Sequence, residues 1–99
     1  MTDVMRAEDV DAALGSGGLA WSRDGDVLVK EVHLGDFAGA LGYVNRVGAV
    51  AEAANHHPDI DIRWETVVLR LSTHSAGGIT GHDIALAGEI DALSEGPEA

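Results

Sequence analysis

A chain of 99 residues with 45% hydrophobic and 23% charged residues has the size and composition of one globular domain. Seventeen acidic against six basic residues give a net charge of −11, which disfavours direct binding to nucleic acids or anionic membrane surfaces. The chain has no cysteine, which excludes disulfides and thiol chemistry, and no apolar run approaches the roughly 20 residues of a membrane span.

The N-terminal third predicts a short helix followed by a β-hairpin. Residues 1–6 lack the apolar core and cleavage site of a secretory signal, so we expect a cytoplasmic protein. Ala7 to Leu14 predict the helix, and the glycine-rich segment after it ends that helix. The hairpin begins at Leu19, turns at Asp24-Gly25, and continues as a β-rich strand from Val27 to Leu34.

The next segment predicts a long helix with recognisable ends. Asp36 can cap its first turn, and the helix extends to about Asn55, because Pro58 keeps the residue before it out of the helical region. Apolar and small residues recur three and four positions apart, which predicts one packing face. The residues of this face are Phe37, Leu41, Val44, Gly48 and Ala51.

The C-terminal half predicts two strands and a last helix. Ile60 to Trp64 alternate apolar and polar residues, a period of two that is typical of a strand with one buried face. Thr66 to His74 predict the next strand, joined to the first by a tight turn. Thr80 and Asp83 form a Thr-x-x-Asp capping box that opens the last helix. The apolar stripe of this helix consists of Leu86, Ile90 and Leu93.

The predicted order of elements is αββαββα. This order predicts an α+β fold, a two-layer sandwich of a four-stranded antiparallel sheet with three helices on one face. One domain covers residues 1–99, without a repeat or a linker. We expect its last five residues, 95–99, to be frayed.

Three of the five histidines fall in one ordered pattern that begins at the end of the long helix. The pKa of histidine, about 6.5, lets it give and take a proton near neutral pH, so a cluster suggests proton-transfer chemistry. Glu52 and His56 are four apart, so Glu52 could hold one nitrogen of the His56 ring. His57 follows at the helix exit, His74 ends a predicted strand, and Asp83 lies on the apolar side of the last helix, with its carboxylate directed inward.

Each of these residues also has a purely structural interpretation. Glu52 and His56 could be a solvated helix pair that contributes only about 0.2–0.5 kcal/mol. His56 and His57 could meet the last carbonyls of the helix as a C-terminal cap. Asp83 could serve only as a helix cap, and Trp64 only as a core residue.

A metal site is a further alternative. Glu52 and His56 could bind an ion together with distant histidines, but the adjacent His56 and His57 rarely chelate one ion together, so we expect no metal. The other two histidines, His33 and His82, follow no pattern and are expected to be solvated.

The residues of the histidine pattern also carry a family resemblance. The run Glu52-x-x-x-His56-His57-Pro58, followed at fitting spacings by Trp64, His74 and Asp83, resembles the signature of the pterin-4a-carbinolamine dehydratases. Further positions look like the same family, namely Trp21, Phe37 and the segment Ser72-Thr73-His74-Ser75-Ala76-Gly77-Gly78-Ile79-Thr80. The resemblance covers roughly residues 18–93. The αββαββα fold of the family agrees with the order of elements predicted above.

The resemblance implies a lyase that eliminates water from a 4a-hydroxytetrahydropterin to give the quinonoid dihydropterin, without a cofactor or metal. Carried over by position, His56 and His74 would be the acid/base pair, and His57 would hold the substrate and assist. The positions that match the pterin-contacting segments are Pro58, Thr73, Ser75 and Ala76. Glu52 and Asp83 would orient the imidazoles, and Trp64 supplies the aromatic residue of the signature.

The resemblance also implies partners and leaves other functions open. An aromatic amino acid hydroxylase would supply the substrate in tetrahydrobiopterin recycling, and we expect a homodimer or homotetramer. Many members carry an aromatic residue shortly after the His-His-Pro-acid run, where this chain has Ile60 and Asp61, so the wall beside the pterin could differ. The alternatives are an interaction module, like members that help a homeodomain transcription factor dimerise, and a non-catalytic pterin-binding or assembly factor.

Overall fold

The computed structural model describes residues 3–93 and residue 95. Its helices are α1 (Ala7–Ser16), α2 (Phe37–Ala54) and α3 (Gly81–Asp91), and its strands are β1 (Ser22–Asp24), β2 (Val27–His33), β3 (Asp59–Arg63) and β4 (Thr66–Leu71). The four strands form one antiparallel sheet in the order β1-β2-β4-β3. The predicted α+β class and the order αββαββα are confirmed. Of the tail predicted to be frayed, residues 96–99 lie outside the described residues.

The core lies between the helices and one face of the sheet. Strands β2 and β4 alternate strictly, so every second side chain of the central pair is buried and the others face outward. The buried apolar side chains of these two strands are Leu28, Val32, Val67, Leu69 and Leu71. The helices cover them with side chains that include Val10, Tyr43, Val47, Leu86 and Ile90. The predicted apolar stripe of α3 is thereby confirmed at Leu86 and Ile90.

Helix α2 has the predicted ends but buries a different face. Its buried residues are Ala40, Tyr43, Val47 and Ala51, and of the predicted face only Ala51 belongs to them. Phe37 and Leu41 are instead 50% and 42% exposed. Both faces repeat at spacings of three and four, so periodicity could not separate them. The buried face is the one whose alanines let the helix approach the sheet while Tyr43 fills the core.

The first strand is shorter than predicted at its N-terminal end. It begins at Ser22 rather than Leu19, whereas α1 continues two residues past Leu14 to Ser16. The amide of Ala20 and the Nε1 atom of Trp21 donate to the carboxylate of Asp91, at 2.8 and 2.9 Å, so this segment is bonded to the end of α3 and not to a neighbouring strand.

The strands of the second pair are also shorter than predicted. Strand β3 ends at Arg63, which is paired with Thr66, so Trp64 and Glu65 form a two-residue turn. Trp64 has a φ of 54° and is 69% exposed, so the predicted place for it in a strand is wrong. Strand β4 ends at Leu71 and not at His74, because the amide of Thr73 donates to the Gly78 carbonyl across a short loop.

Candidate functional site

The site begins where α2 ends. Asn55 adopts the left-handed conformation (φ 51°, ψ 42°), and the amide of His56 donates to the Ala51 carbonyl, five residues back, at 3.2 Å. These are the features of a Schellman cap, in which a left-handed residue terminates the helix and turns the chain away. His56 and His57 therefore stand outside the helix, directly before Pro58 and strand β3.

His56 is held by a buried carboxylate from α3. Its Nε2 atom donates to Asp83 Oδ1 at 2.5 Å, and Nε2 must carry the proton because a carboxylate can only accept. The His56 side chain is 16% exposed and that of Asp83 is fully buried. The inward direction predicted for Asp83 is confirmed, and this contact leaves Nδ1 as the His56 nitrogen that is not bonded to Asp83.

The second oxygen of Asp83 is bonded to residues of two other segments. Oδ2 accepts from the Thr80 amide at 2.9 Å and from the Thr73 hydroxyl at 2.8 Å. The Thr80 amide bond belongs to the capping box predicted for Thr80 and Asp83, which the structure confirms. Asp83 thus both caps α3 and is hydrogen-bonded to His56, so its capping role is compatible with a role in orienting His56.

His57 has a different carboxylate and a different environment. Its Nε2 atom lies 2.8 Å from Glu52 Oε2, and the His57 side chain is 55% exposed. The predicted pairing of Glu52 with His56 is therefore wrong. The i,i+4 rule requires that the helix continue through residue 56, whereas Asn55 has already ended it.

His74 completes the cluster from the loop after β4. It is exposed, as is Ser75, and Gly77 with a φ of 81° makes the turn that brings the loop back to Gly78. The three histidines of the predicted pattern line one surface depression of about 260 Å³. Its lining residues are Asn55, His56, His57, Ser72, Thr73, His74 and Ser75.

The remaining residues of the sequence-based prediction lie outside this lining. Pro58 and Ala76 are next to lining residues in the chain, and Asp83 and Glu52 contact His56 and His57 without belonging to the lining. The Thr73 side chain is buried against Asp83, so only the rest of this residue is available to a ligand. Trp64 lies at the opposite end of β3 from His57.

Four residues near the site were not predicted from the sequence as site residues. Asn55 and Ser72 line the depression, Thr80 bonds to the side chain of Thr73, and the His82 ring centroid lies 6.0 Å from that of His56. Asn55 carried a usable signal, because asparagine is a common left-handed C-terminal residue of helices. No signal in the sequence indicated the position of His82, because that position depends on how α3 packs beside the end of α2. His82 is exposed, as predicted.

This arrangement suits proton transfer. One imidazole is partly buried and bonded to a carboxylate, and two exposed imidazoles line the same depression, so three side chains of the type used in general acid–base catalysis lie together. Within residues 3–93 and 95, no group of three His, Asp or Glu side chains has an arrangement that could hold a metal ion. The fold and the site together define a small α+β protein with a histidine-lined depression.

Comparison with known proteins identifies its family. The sequence pattern of the family described as pterin 4 alpha carbinolamine dehydratase matches residues 3–93. A Nocardia farcinica protein provisionally named a pterin-4-alpha-carbinolamine dehydratase is 55% identical over 74 residues, 75% of this chain and 78% of that protein. A Mycobacterium tuberculosis protein with the same provisional name is 49% identical over 90 residues, 91% of this chain and 95% of that protein.

A solved structure agrees with this assignment. The structure of a transcriptional coactivator/pterin dehydratase from Brucella melitensis is similar with a TM-score of 0.83 at 26% sequence identity, and the match covers 91% of this chain and 97% of that chain. The chain belongs to the pterin-4a-carbinolamine dehydratase family, as the resemblance in its sequence had indicated.

Proposed function

We propose that this protein is a hydro-lyase that converts a 4a-hydroxytetrahydropterin into the quinonoid dihydropterin. The observation that carries the proposal is the convergence of His56, His57 and His74 on one depression, with His56 bonded to the buried Asp83. In the reaction the C4a–O bond breaks, the departing hydroxyl gains a proton and leaves as water, and the proton on N5 is removed as the C4a–N5 double bond forms. One acid and one base are therefore sufficient.

We take the roles of the histidines from the family resemblance. His56 and His74 form the acid/base pair, and His57 holds the substrate and assists. At about 260 Å³ the depression is slightly smaller than the roughly 300–1,000 Å³ of typical small-molecule sites, so it accommodates the pterin ring and leaves the ring substituent in solvent. Pro58, Ser75 and the backbone at Thr73 and Ala76 provide further contacts to the ring.

The proposal is tested by stopped-flow absorbance decay of freshly generated 4a-hydroxytetrahydropterin. We expect the wild-type protein to accelerate the decay and His56→Ala or His74→Ala to lower this acceleration by about 10²–10⁴-fold, the usual contribution of a general acid or base. His33→Ala is the matched control, because His33 ends β2 next to the β3–β4 turn and does not line the depression. A folded wild-type protein without any acceleration would refute the enzymatic function.

The physiological setting follows from this reaction. An aromatic amino acid hydroxylase supplies the carbinolamine, and the product re-enters tetrahydrobiopterin recycling through a reductase. Within the described part of the chain, no helix combines the length and the apolar character needed to cross a bilayer. We propose that the reaction takes place in the cytoplasm.

A second role is supported by the exposed apolar side chains of α2. Phe37 and Leu41 lie on its outer face, and the similar protein from Brucella melitensis is described both as a transcriptional coactivator and as a pterin dehydratase. We therefore propose that this surface binds protein. The partner is a further copy of the chain in a homodimer or homotetramer. A protein-interaction or non-catalytic assembly role is the alternative to catalysis. A biological effect that survives simultaneous replacement of His56, His57 and His74 would favour that alternative.

A further inference from the structure

We propose that the hydroxyls of Thr80 and Thr73 form a directed hydrogen-bond relay that holds Asp83 in place and through it orients His56. Both threonines are then positioning residues for the acid/base step. The inference rests on the proposed function for its kinetic consequences, but its structural part can be tested without any turnover.

The relay is enclosed by the fold. Thr73, Thr80 and Asp83 are all buried, although polar side chains of this kind mostly lie at the surface. The two hydroxyl oxygens are 2.7 Å apart, and Thr73 Oγ1 is 2.8 Å from Asp83 Oδ2. The group joins the loop after β4 to the first turn of α3 and, through His56, to the end of α2.

The direction of the relay follows from counting protons. Each threonine hydroxyl has one proton, and a carboxylate oxygen only accepts. Because the Thr73 proton is donated to Asp83, the proton between the two hydroxyls must come from Thr80. The Thr80 oxygen in turn accepts from the backbone amide of His82 at 3.2 Å. The donors therefore point the same way from His82 through Thr80 and Thr73 to Asp83, which lets each bond polarise the next.

The relay determines which atom of Asp83 faces the site. Oδ2 is occupied by the Thr73 hydroxyl and the Thr80 amide, so the carboxylate cannot rotate without losing both bonds. Oδ1 then remains for His56 Nε2. The proton of His56 is thereby kept on Nε2, and Nδ1 is left for exchange with the substrate.

This inference assigns Thr73 a role other than substrate contact. Its only hydroxyl proton is donated inward, so the hydroxyl of this residue cannot donate a hydrogen bond to the pterin. A substrate-binding hydroxyl and a positioning hydroxyl have different kinetic signatures. Loss of the first raises KM, whereas loss of the second lowers kcat with little change in KM.

The test compares Thr73→Val, which keeps the shape and removes the hydroxyl, with Thr73→Ser, which keeps the hydroxyl and removes the methyl group. We expect Thr73→Val to lower kcat by about tenfold to a hundredfold, the effect of losing a hydrogen bond to a charged group, with KM nearly unchanged. Thr73→Ser should stay within about threefold of wild type. Thr66→Val, at the first residue of β4, is the matched control for a threonine-to-valine exchange outside the relay, and its kcat should not change.

A second readout does not depend on activity. The ¹⁵N chemical shifts of the His56 ring report which nitrogen carries the proton, and Thr73→Val should move population away from the Nε2-protonated form, whereas Thr73→Ser should not. The relay would be overturned if folded Thr73→Val kept both kcat and the wild-type ring signals, or if Thr73→Ser lost as much as Thr73→Val. A wild-type protein without activity but with Thr73-dependent His56 signals would refute the dehydratase function and retain the relay.

Discussion

His56 and His57 are adjacent in the chain, but their carboxylate partners are not equivalent. His56 meets a fully buried carboxylate that has donors on both oxygens, whereas His57 meets Glu52 in an exposed helix turn. Exposed ion pairs contribute about 0–1 kcal/mol, and hydrogen bonds to a charged group removed from water contribute about 1.5–3 kcal/mol. The two histidines should therefore depend on their partners to different extents.

Replacement of the two carboxylates separates these roles. Asp83→Asn should lower kcat for the proposed dehydration by about 10²–10⁴-fold, because an amide can donate to the His56 ring and select the wrong tautomer. Glu52→Gln should lower it by less than about tenfold, because its pair with His57 is exposed. Steady-state kinetics with the carbinolamine measures both, with far-ultraviolet circular dichroism as the control for folding. Equal losses would show that the buried contact has no special role.

His33 lies away from the depression, between two carboxylates. Its Nδ1 atom is 3.1 Å from Glu65 and its Nε2 atom 2.8 Å from Glu31. Hydrogen bonds to Glu65 and Glu31 raise the pKa of His33 above 6.5, and the bond from His33 holds the pKa of Glu65 below 4.5. The stability contributed by His33 is thus fully present below pH 6.5 and lost as the pH rises through the raised pKa; that of Glu65 is present above pH 4.5 and lost as the pH falls.

Stability against pH provides the test of this cluster. The free energy of unfolding of wild type should exceed that of His33→Gln by more at about pH 5.5 than at about pH 8.5, because both charges are present only at the lower value. Urea titrations at the two pH values measure this difference. Added salt should reduce it at the lower pH, since the cluster is exposed. A difference that does not change with pH would mean that the charge on His33 contributes nothing.

At the scale of single elements, the ends of α2 were predictable and its orientation was not. Asp36 accepts from the Gly39 amide at 2.7 Å, and Asn55 turns the chain out of the helix, so both ends depend on local chemistry that a sequence displays. The buried face depends on which side of the helix fits the sheet. Phe37 and Leu41 repeat as regularly as Ala40 and Tyr43 do, so only the packed structure distinguishes them.

The candidate site was also predictable only in part. The pattern of His56, His57 and His74 could be predicted because the segments that follow a helix and a strand present side chains from a rigid scaffold. The carboxylate that contacts each imidazole could not be predicted. The Glu52 contact depends on a left-handed residue that breaks the i,i+4 spacing, and the relay through Thr73 depends on the packing of a loop against α3.

A further prediction concerns the end of α2, where Asn55 has a left-handed backbone conformation. Asn55→Ala should lower the free energy of unfolding by about 1 kcal/mol or slightly more, because a side chain that begins with a plain Cβ is disfavoured at positive φ. Asn55→Gly should match or exceed the wild type. Urea unfolding midpoints measure the order of the three proteins. An alanine variant as stable as the wild type would show that the cap conformation is not under strain.

At the scale of the whole molecule, the largest exposed apolar side chains lie on two connected parts of the fold. Phe37 and Leu41 belong to α2, and Ile60 and Trp64 belong to β3 and the turn after it. The Leu34 amide donates to the Glu65 carbonyl at 2.9 Å, so that turn is bonded to the segment that joins β2 to α2. Strand β3 is also an edge of the sheet, and such edges are sites where a second chain can add.

The sequence of β3 is complementary to itself in one register. Asp61 and Arg63 lie on one face of the strand and Ile62 on the other. Two copies that pair in an antiparallel manner about Ile62 place Asp61 opposite Arg63 of the partner subunit, and the two-fold axis repeats this pair. Pairing two residues further toward the N-terminus, about Ile60, would instead oppose Asp59 to Asp61. We therefore expect the proposed homodimer to form through this edge in the first register.

Charge exchange tests this arrangement. Arg63→Glu should weaken dimerisation by on the order of tenfold or more, because two pairs of opposite charges become pairs of like charges. The double variant Asp61→Arg with Arg63→Glu should restore it, since the same pairs form with exchanged signs. Arg6→Glu, which changes the net charge equally at an exposed position before α1, should have no effect. Sedimentation equilibrium over a range of concentrations measures all four proteins. If the double variant remained as weak as Arg63→Glu, pairing through β3 would be refuted, and the outer face of α2 with Phe37 and Leu41 would become the surface to change next.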